Sequence, residues 1–279
     1  MSLRELIRQF KWIHKPISCI FNYFIYPVQN GYYFFMIKYL LCIKCEEFKA
    51  LRNYGFKDIK PFKTRAWRIG TEKDHAHRRY YTAIHKGTKC FIKVALNDST
   101  IGNEIAVAEQ LKDKDISFIS KIIVIDSNFS GNKQLLATAF TLGLHPISEE
   151  SVYNDVEVVS PSKLLIYCKQ MKSILQTLEE LKLVHADIHK GNLMLDANDN
   201  LILLDFGISK FLDKDNDVQY RYRPGTFYRD TAEGRVYDDA YSFISLINRY
   251  DTCQNIKHTD EYKAICDRIN KVTFTVSND

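Results

Sequence analysis

The sequence predicts an α+β chain of two lobes, a strand-rich one followed by a trimmed helical one. Three observations predict it. Residues 64 to 96 alternate and are rich in Tyr, Thr, Ile, Phe and Val. Ser160-Pro161 opens a long run in which Leu164, Leu165, Cys168, Met171, Leu175, Leu178 and Leu181 recur at helical spacing. A chain of 279 residues with 46% apolar content can bury cores of this size. The expected organisation is a helical extension over 1–63, a first lobe with its connecting hinge over 64–142, and a second lobe over 143–279.

The extension is basic and aromatic. Up to Ala66 there are 12 basic and 4 acidic residues, which leaves 27 basic against 30 acidic for the rest, so nucleic acid is not an expected partner. Arg4, Arg8, Lys11, His14 and Lys15 interrupt any secretory signal. The strongest apolar stretch, Gly31 to Ile43, carries Lys38 and is shorter than the about 20 residues a bilayer span needs, so no crossing is expected. Rings beside cations suit either of two roles for residues 1–60. They would touch the anionic inner face of a membrane, or pack as helices onto the domain behind them. Cysteines at 19, 42, 45, 90, 168, 253 and 266 show no repeating spacing, which fits reduced thiols and a cytoplasmic setting. The Cys42 and Cys45 pair lacks the second ligand pair a zinc site needs and reads as two helix thiols.

In the first lobe, Lys86-Gly87 is placed to turn YYTAIH back into TKCFIKVAL as a hairpin. Ile101, Ile105, Ala108 and Leu111 mark an amphipathic helix. Two apolar strands follow, Lys121 to Ser127 and Gln134 to Leu142, and then a polar linker from Gly143 to Val159. In the second lobe, Ser160 is an N-cap with proline at the first helical position. Strands around NLML and LILLDF flank the turn-forming DANDN. DDAYSFISLINRY reads as a buried helix, and a last helix is expected from Thr259 to Val272.

Three segments carry chemistry. CFIKVAL puts Lys93 in mid-strand among apolar neighbours, where an ammonium is costly without an opposite charge. Glu104 on the next helix would supply it, with Glu109 as the alternative. VHADIHKGNLML places Asp187 and Asn192 on a loop, and LILLDFGISKF ends a strand on Asp205. Two carboxylates and an amide are hard oxygen donors suited to Mg²⁺ shared with phosphate. His75 and His77 read as loop residues, since no third metal ligand accompanies them.

H-x-D-x-x-x-x-N followed by D-F-G, with a strand lysine and a helix glutamate upstream, resembles the protein kinase superfamily over roughly Thr64 to Tyr250. The resemblance implies a bilobal protein-kinase-like fold with an antiparallel-sheet first lobe, and ATP and Mg²⁺ as cofactors. Asp187 would accept the proton of the attacking hydroxyl, Asn192 and Asp205 would hold Mg²⁺, and Lys93, positioned by Glu104, would contact the phosphates. His185 would be structural, Asp239 would cap the loop, and the backbone of Phe140, Thr141 and Leu142 would meet adenine. The glycine-rich loop is reduced to Gly70, with Lys73, Arg78 or Arg79 as substitute positive charges, and Ala186 stands where regulated protein kinases carry arginine.

D-I-H-K-G-N is similar to kinases of small molecules and looks like the lipopolysaccharide-core heptose kinases, whereas D-F-G-I-S-K and GTFYRD look like protein kinases. Arg221, Arg223, Arg229 and Arg235 follow D-F-G and suit phosphate or carboxylate. The expected function is therefore ATP-dependent phosphorylation of an alcohol hydroxyl, the acceptor being an acidic glycolipid or envelope oligosaccharide. A minimal serine/threonine protein kinase and an inactive pseudokinase scaffold are the alternatives.

Overall fold

The computed structural model describes residues 44–62, 78–147, 159–214 and 227–276. Gly70, Lys73, His75, His77, Arg221, Arg223 and the expected membrane-facing residues before 44 lie outside them. The chain divides into two compact units. The first holds the chain up to Asp98 with Asp126–Ala137, and the second holds Ser99–Ile125 with Thr138–Asp279.

In the first unit, helix α1 (Lys44–Asn53) precedes a five-stranded sheet made from β1 (Phe56–Pro61), β2 (Arg79–His85), β3 (Thr88–Leu96), β4 (Ile122–Phe129) and β5 (Lys133–Ala139), ordered β1-β2-β3-β5-β4. The hairpin expected at Lys86-Gly87 is present. Both turn residues have left-handed φ, +47° and +81°, and His85 pairs with Thr88. Strand alternation sends Tyr81, Ala83, Cys90, Ile92 and Val94 to a buried face. Helix α1 supplies Leu51 to the core and sets Phe48 edge-on to Tyr81, with ring centroids 5.6 Å apart. The sheet thus begins before the expected boundary at Thr64. FKDIKP pairs with β2 through an irregular register that skips between Lys57 and Lys60, a break that hides strand alternation in the sequence.

The second unit is built on helix α3 (Pro161–Glu180), which starts as expected: Ser160 Oγ accepts the Lys163 N–H at 3.3 Å. Leu164, Cys168, Met171, Leu175 and Leu178 line its buried stripe. Against it pack helix α4 (Asp239–Ile247), helix α5 (Asp260–Cys266) and the hairpin of β6 (Leu193–Leu195) and β7 (Leu201–Leu203). Helix α2 (Ser99–Leu111) belongs here as well, since Val107 and Leu111 join this core. That assigns α2 to the helical unit although it precedes the expected boundary at 143.

The last helix is shorter than expected. It stops at Cys266, and after a run of turn residues Asn270 takes a left-handed φ of +72° and donates its backbone N–H to Asp238 Oδ2 at 2.8 Å. The chain then forms a strand, Thr273–Val276, which pairs with Gly234–Asp238, itself paired with Arg229–Thr231. This small sheet stacks Tyr237 on Phe274 and packs on Val184, Ala186 and Ile208.

Candidate functional site

The β6–β7 hairpin positions two of the expected site residues. Its register pairs Leu193 with Leu203, so the preceding Asn192 and the following Leu204 face each other, and the Leu204 N–H donates to the Asn192 carbonyl at 2.8 Å. Asp205 comes next. One end of one hairpin therefore presents an amide and a carboxylate, the donor pair that Mg²⁺ shared with phosphate requires. Among the described residues no cluster of three or more His, Cys, Asp or Glu could hold a metal alone, so phosphate and water would have to complete the shell.

Asp205 has a left-handed φ of +62°, and the Gly207 N–H donates to its Oδ1 at 3.3 Å. Gly207 has a packing reason: a Cβ there would overlap the Thr100 methyl on α2. Asn103, one turn further along α2, donates from Nδ2 to the Ser209 carbonyl at 2.8 Å and to those of Phe206 and Gly207 at 3.3 Å. Sequence reasoning missed Asn103, because an exposed-looking amide in a helix gives no signal of its partners. Glu104 beside it is buried, whereas Glu109 is exposed and pairs with Lys112 at 2.7 Å. Of the two candidate glutamates, Glu104 is thus the buried one.

Asp187 is 3% exposed and tightly held. Asn192 Nδ2 donates to its Oδ2 at 3.0 Å and to its carbonyl at 3.1 Å. The loop bearing it is anchored from below by Asp239 on α4. Asp239 Oδ2 accepts the His185 N–H at 2.7 Å, and Oδ1 accepts the Ala186 N–H at 3.0 Å. Burial pushes the Asp239 carboxyl up to about 7 against the pull of those two donors, with Asp238 and Asp187 adding to the rise. Ala186 sits at φ +67°, a strained value for a residue with a Cβ, held by these bonds and by packing on Tyr237.

His185 is structural, as expected. Its Nδ1 accepts the Asp187 N–H at 3.2 Å, which assigns the proton to Nε2, 3.1 Å from the Leu204 carbonyl. Burial lowers its pKa and keeps the ring neutral. The ring meets Phe206 edge-on with centroids 4.6 Å apart.

Lys93 stands in the first unit, in the middle of β3 and opposite Tyr80 on β2. It is half-buried on the face it shares with Phe91 rather than wholly enclosed. Tyr80 stacks on Phe91 at 5.8 Å, and Phe62 meets Phe91 edge-on at 5.2 Å. Two substitute phosphate contacts are corrected. Arg79 is buried, donating Nε to Glu47 Oε1 at 2.9 Å, and Arg78 NH2 donates to Asp98 Oδ1 at 2.9 Å. Both charges are already compensated within the first unit.

A similar correction applies to Arg229. It donates to Asp238 Oδ2 at 3.3 Å and to Asn270 Oδ1, with its guanidinium over the Tyr241 ring, so its role is to join strands and helix. Arg235 lies over Tyr228 at 4.2 Å, its Nε 3.5 Å from the exposed Asp230. Among the hinge residues, Leu142 is 66% exposed, Thr141 Oγ1 lies 3.0 Å from Ser120 Oγ, and Phe140 joins Thr141 to the end of β5. The thiols of Cys90, Cys168, Cys253 and Cys266 are free. No described helix is long and apolar enough to cross a membrane.

Comparison with known proteins found these similarities. The family described as "ABC1 atypical kinase-like domain" matches residues 125–227. "Serine/threonine-protein kinase 10" of Danio rerio is 38% identical over 164 residues, covering 56% of this chain and 16% of that protein. The kinase PK-1 of the Cydia pomonella granulovirus aligns with a TM-score of 0.44 and 15% identity, over 59% of this chain and 58% of the viral one. The chain thus spans a sixth of the length of the curated relative and little more than half of the solved one.

Proposed function

Given that this chain belongs to the protein-kinase-like superfamily, we propose that it is an ATP-dependent phosphotransferase acting on an alcohol hydroxyl. One observation carries the reading: Asp187, buried and oriented by Asn192, sits on an anchored loop whose Asn192 shares a hairpin end with Asp205. In this reading Asp187 takes the acceptor's proton as its oxygen bonds the γ-phosphorus and ADP leaves. Asn192 and Asp205 would hold Mg²⁺, which would neutralise charge on the phosphates. Lys93 would serve the α- and β-phosphates. Catalysis is then mostly positioning and charge compensation, the task a rigid loop suits.

For the acceptor we favour an anionic envelope sugar such as a lipopolysaccharide-core residue, supported by the D-I-H-K-G-N loop. The basic, aromatic residues before 44 would then touch an anionic membrane from the cytoplasmic side, where ATP is supplied. A serine or threonine of a protein is the second reading, favoured by the 38% identical relative. Labelled ATP offered with Mg²⁺ to core oligosaccharide and to a protein mixture separates them. Label on the sugar supports the first and label only on protein the second. Asp187→Asn is expected to cut transfer at least about 100-fold with little change in nucleotide affinity. If the wild-type chain transfers nothing and hydrolyses no ATP, the catalytic reading falls and a scaffold role replaces it.

A further inference from the structure

The loop between Asp187 and Asn192 carries two more ionisable side chains that no role above uses, His189 and Lys190, and the ring of His189 lies beside Asp187. Its Nδ1 accepts the Gly191 N–H at 3.0 Å, which leaves that nitrogen unprotonated and puts the ring proton on Nε2. Nε2 stands 3.7 Å from Asp187 Oδ1. That is the carboxylate oxygen Asn192 leaves alone, since the amide donates to Oδ2. The glycine is part of the arrangement. A Cβ on residue 191 would lie 2.8 Å from the His189 ring carbon Cε1 and 3.1 Å from Nδ1, with no other neighbour within 4 Å. Residue 191 does not have a left-handed φ, so the missing side chain makes room for the ring rather than freeing the backbone.

We propose that His189 is a positioning residue for the proton acceptor Asp187, presenting Nε2–H to Oδ1, and that Gly191 is the seat its ring requires. The proposal rests on the phosphotransferase reading and goes beyond it by adding a residue and its support. A closure of under 1 Å brings 3.7 Å into hydrogen-bond range, as catalytic contacts tighten when substrates bind. With Oδ2 held by the amide and Oδ1 by the imidazole, the carboxylate plane is fixed toward the acceptor hydroxyl. As the oxygen–phosphorus bond forms, the hydroxyl proton passes to Asp187. His189 keeps its own Nε2 proton throughout.

The test uses the full chain with Mg·ATP and water as the acceptor, reading ADP release. His189→Ala is expected to lower kcat about tenfold with the KM for ATP within about twofold, the loss of one oriented hydrogen bond. His189→Gln, which keeps an N–H donor, should recover most of that loss. Gly191→Ala should reproduce it by displacing the ring. The double variant His189→Ala/Gly191→Ala should be no worse than His189→Ala, because the new methyl then meets nothing. Unchanged kcat in His189→Ala, or losses that multiply in the double variant, overturns the proposal.

A second readout needs no turnover. In chain labelled with ¹⁵N-histidine, His189 should show the Nε2–H tautomer, its Nε2 resonance should move in Asp187→Asn, and the tautomer should be disturbed in Gly191→Ala. An Nδ1–H tautomer, or a resonance indifferent to both changes, rejects the positioning role. A wild-type chain that releases no ADP removes the phosphotransferase reading, while these resonances still decide what His189 does.

Discussion

Gly207 and Asp239 show how single atoms govern the loop segments around Asp187 and Asp205. A methyl on residue 207 would collide with Thr100 and press on Asp205 Oδ1, so Gly207→Ala must shift either α2 or the carboxylate. We expect a loss of about 1–3 kcal/mol in chemical unfolding, together with loss of any Mg²⁺-dependent thermal shift by ATP. Wild-type stability with an intact Mg²⁺ response would refute that account. Asp239 makes stability depend on pH. Its carboxyl titrates near 7 when folded, against an ordinary value of 3.8, so between these values the folded chain binds the extra proton. Its contribution is fully present below about 4 and lost as pH rises toward 7. His185 acts oppositely, since its lowered pKa costs stability as pH falls below 6.5. Comparing Asp239→Asn with wild type cancels the histidine. The wild type's advantage in melting temperature should shrink from pH 4 to pH 7, and a pH-independent gap would count against it. The anchoring role of Asp239 was legible in the sequence, through the kinase resemblance. The fixed tautomers of His185 and His189 were not, because each is set by a backbone N–H that only folding brings near.

Among the elements, α1 is the least legible. KCEEFKALRN reads as a polar helix of an extension, yet Glu47 is wholly buried. It accepts from Arg79 Nε and NH2 at 2.9 and 2.8 Å and from the Tyr81 hydroxyl at 2.8 Å, with Lys133 Nζ at 3.5 Å. Those donors come from β2 and β5, distant in sequence, so no local pattern could announce them. Glu47→Gln leaves the buried guanidinium short of its counter-charge. We expect about 3 kcal/mol or more to be lost in urea unfolding, and a change within about 0.5 kcal/mol would show the network to be dispensable. Elements whose signals are local were legible. These were the turn at Lys86-Gly87, the cap at Ser160 and the long stripe of α3. The strand at Thr273–Val276 was not, because its partner is the remote strand Gly234–Asp238.

At the scale of the molecule, a strand-rich unit followed by a helical one was legible from patterning and spacing. The limits of the two units were not, because they depend on which core a segment joins. Helix α2 precedes the expected second lobe, yet its Val107 and Leu111 bury with α3. Residues 56–61 precede the expected first lobe, yet they form the outer strand of its sheet. That last feature bears on how the protein is handled at the bench. A recombinant fragment started at Thr64 would leave the backbone amides and carbonyls of β2 as a raw edge and bare the apolar side chains beneath Leu51, both invitations to self-association. Such a fragment should sediment as aggregate, whereas one started at Lys44 should stay dispersed.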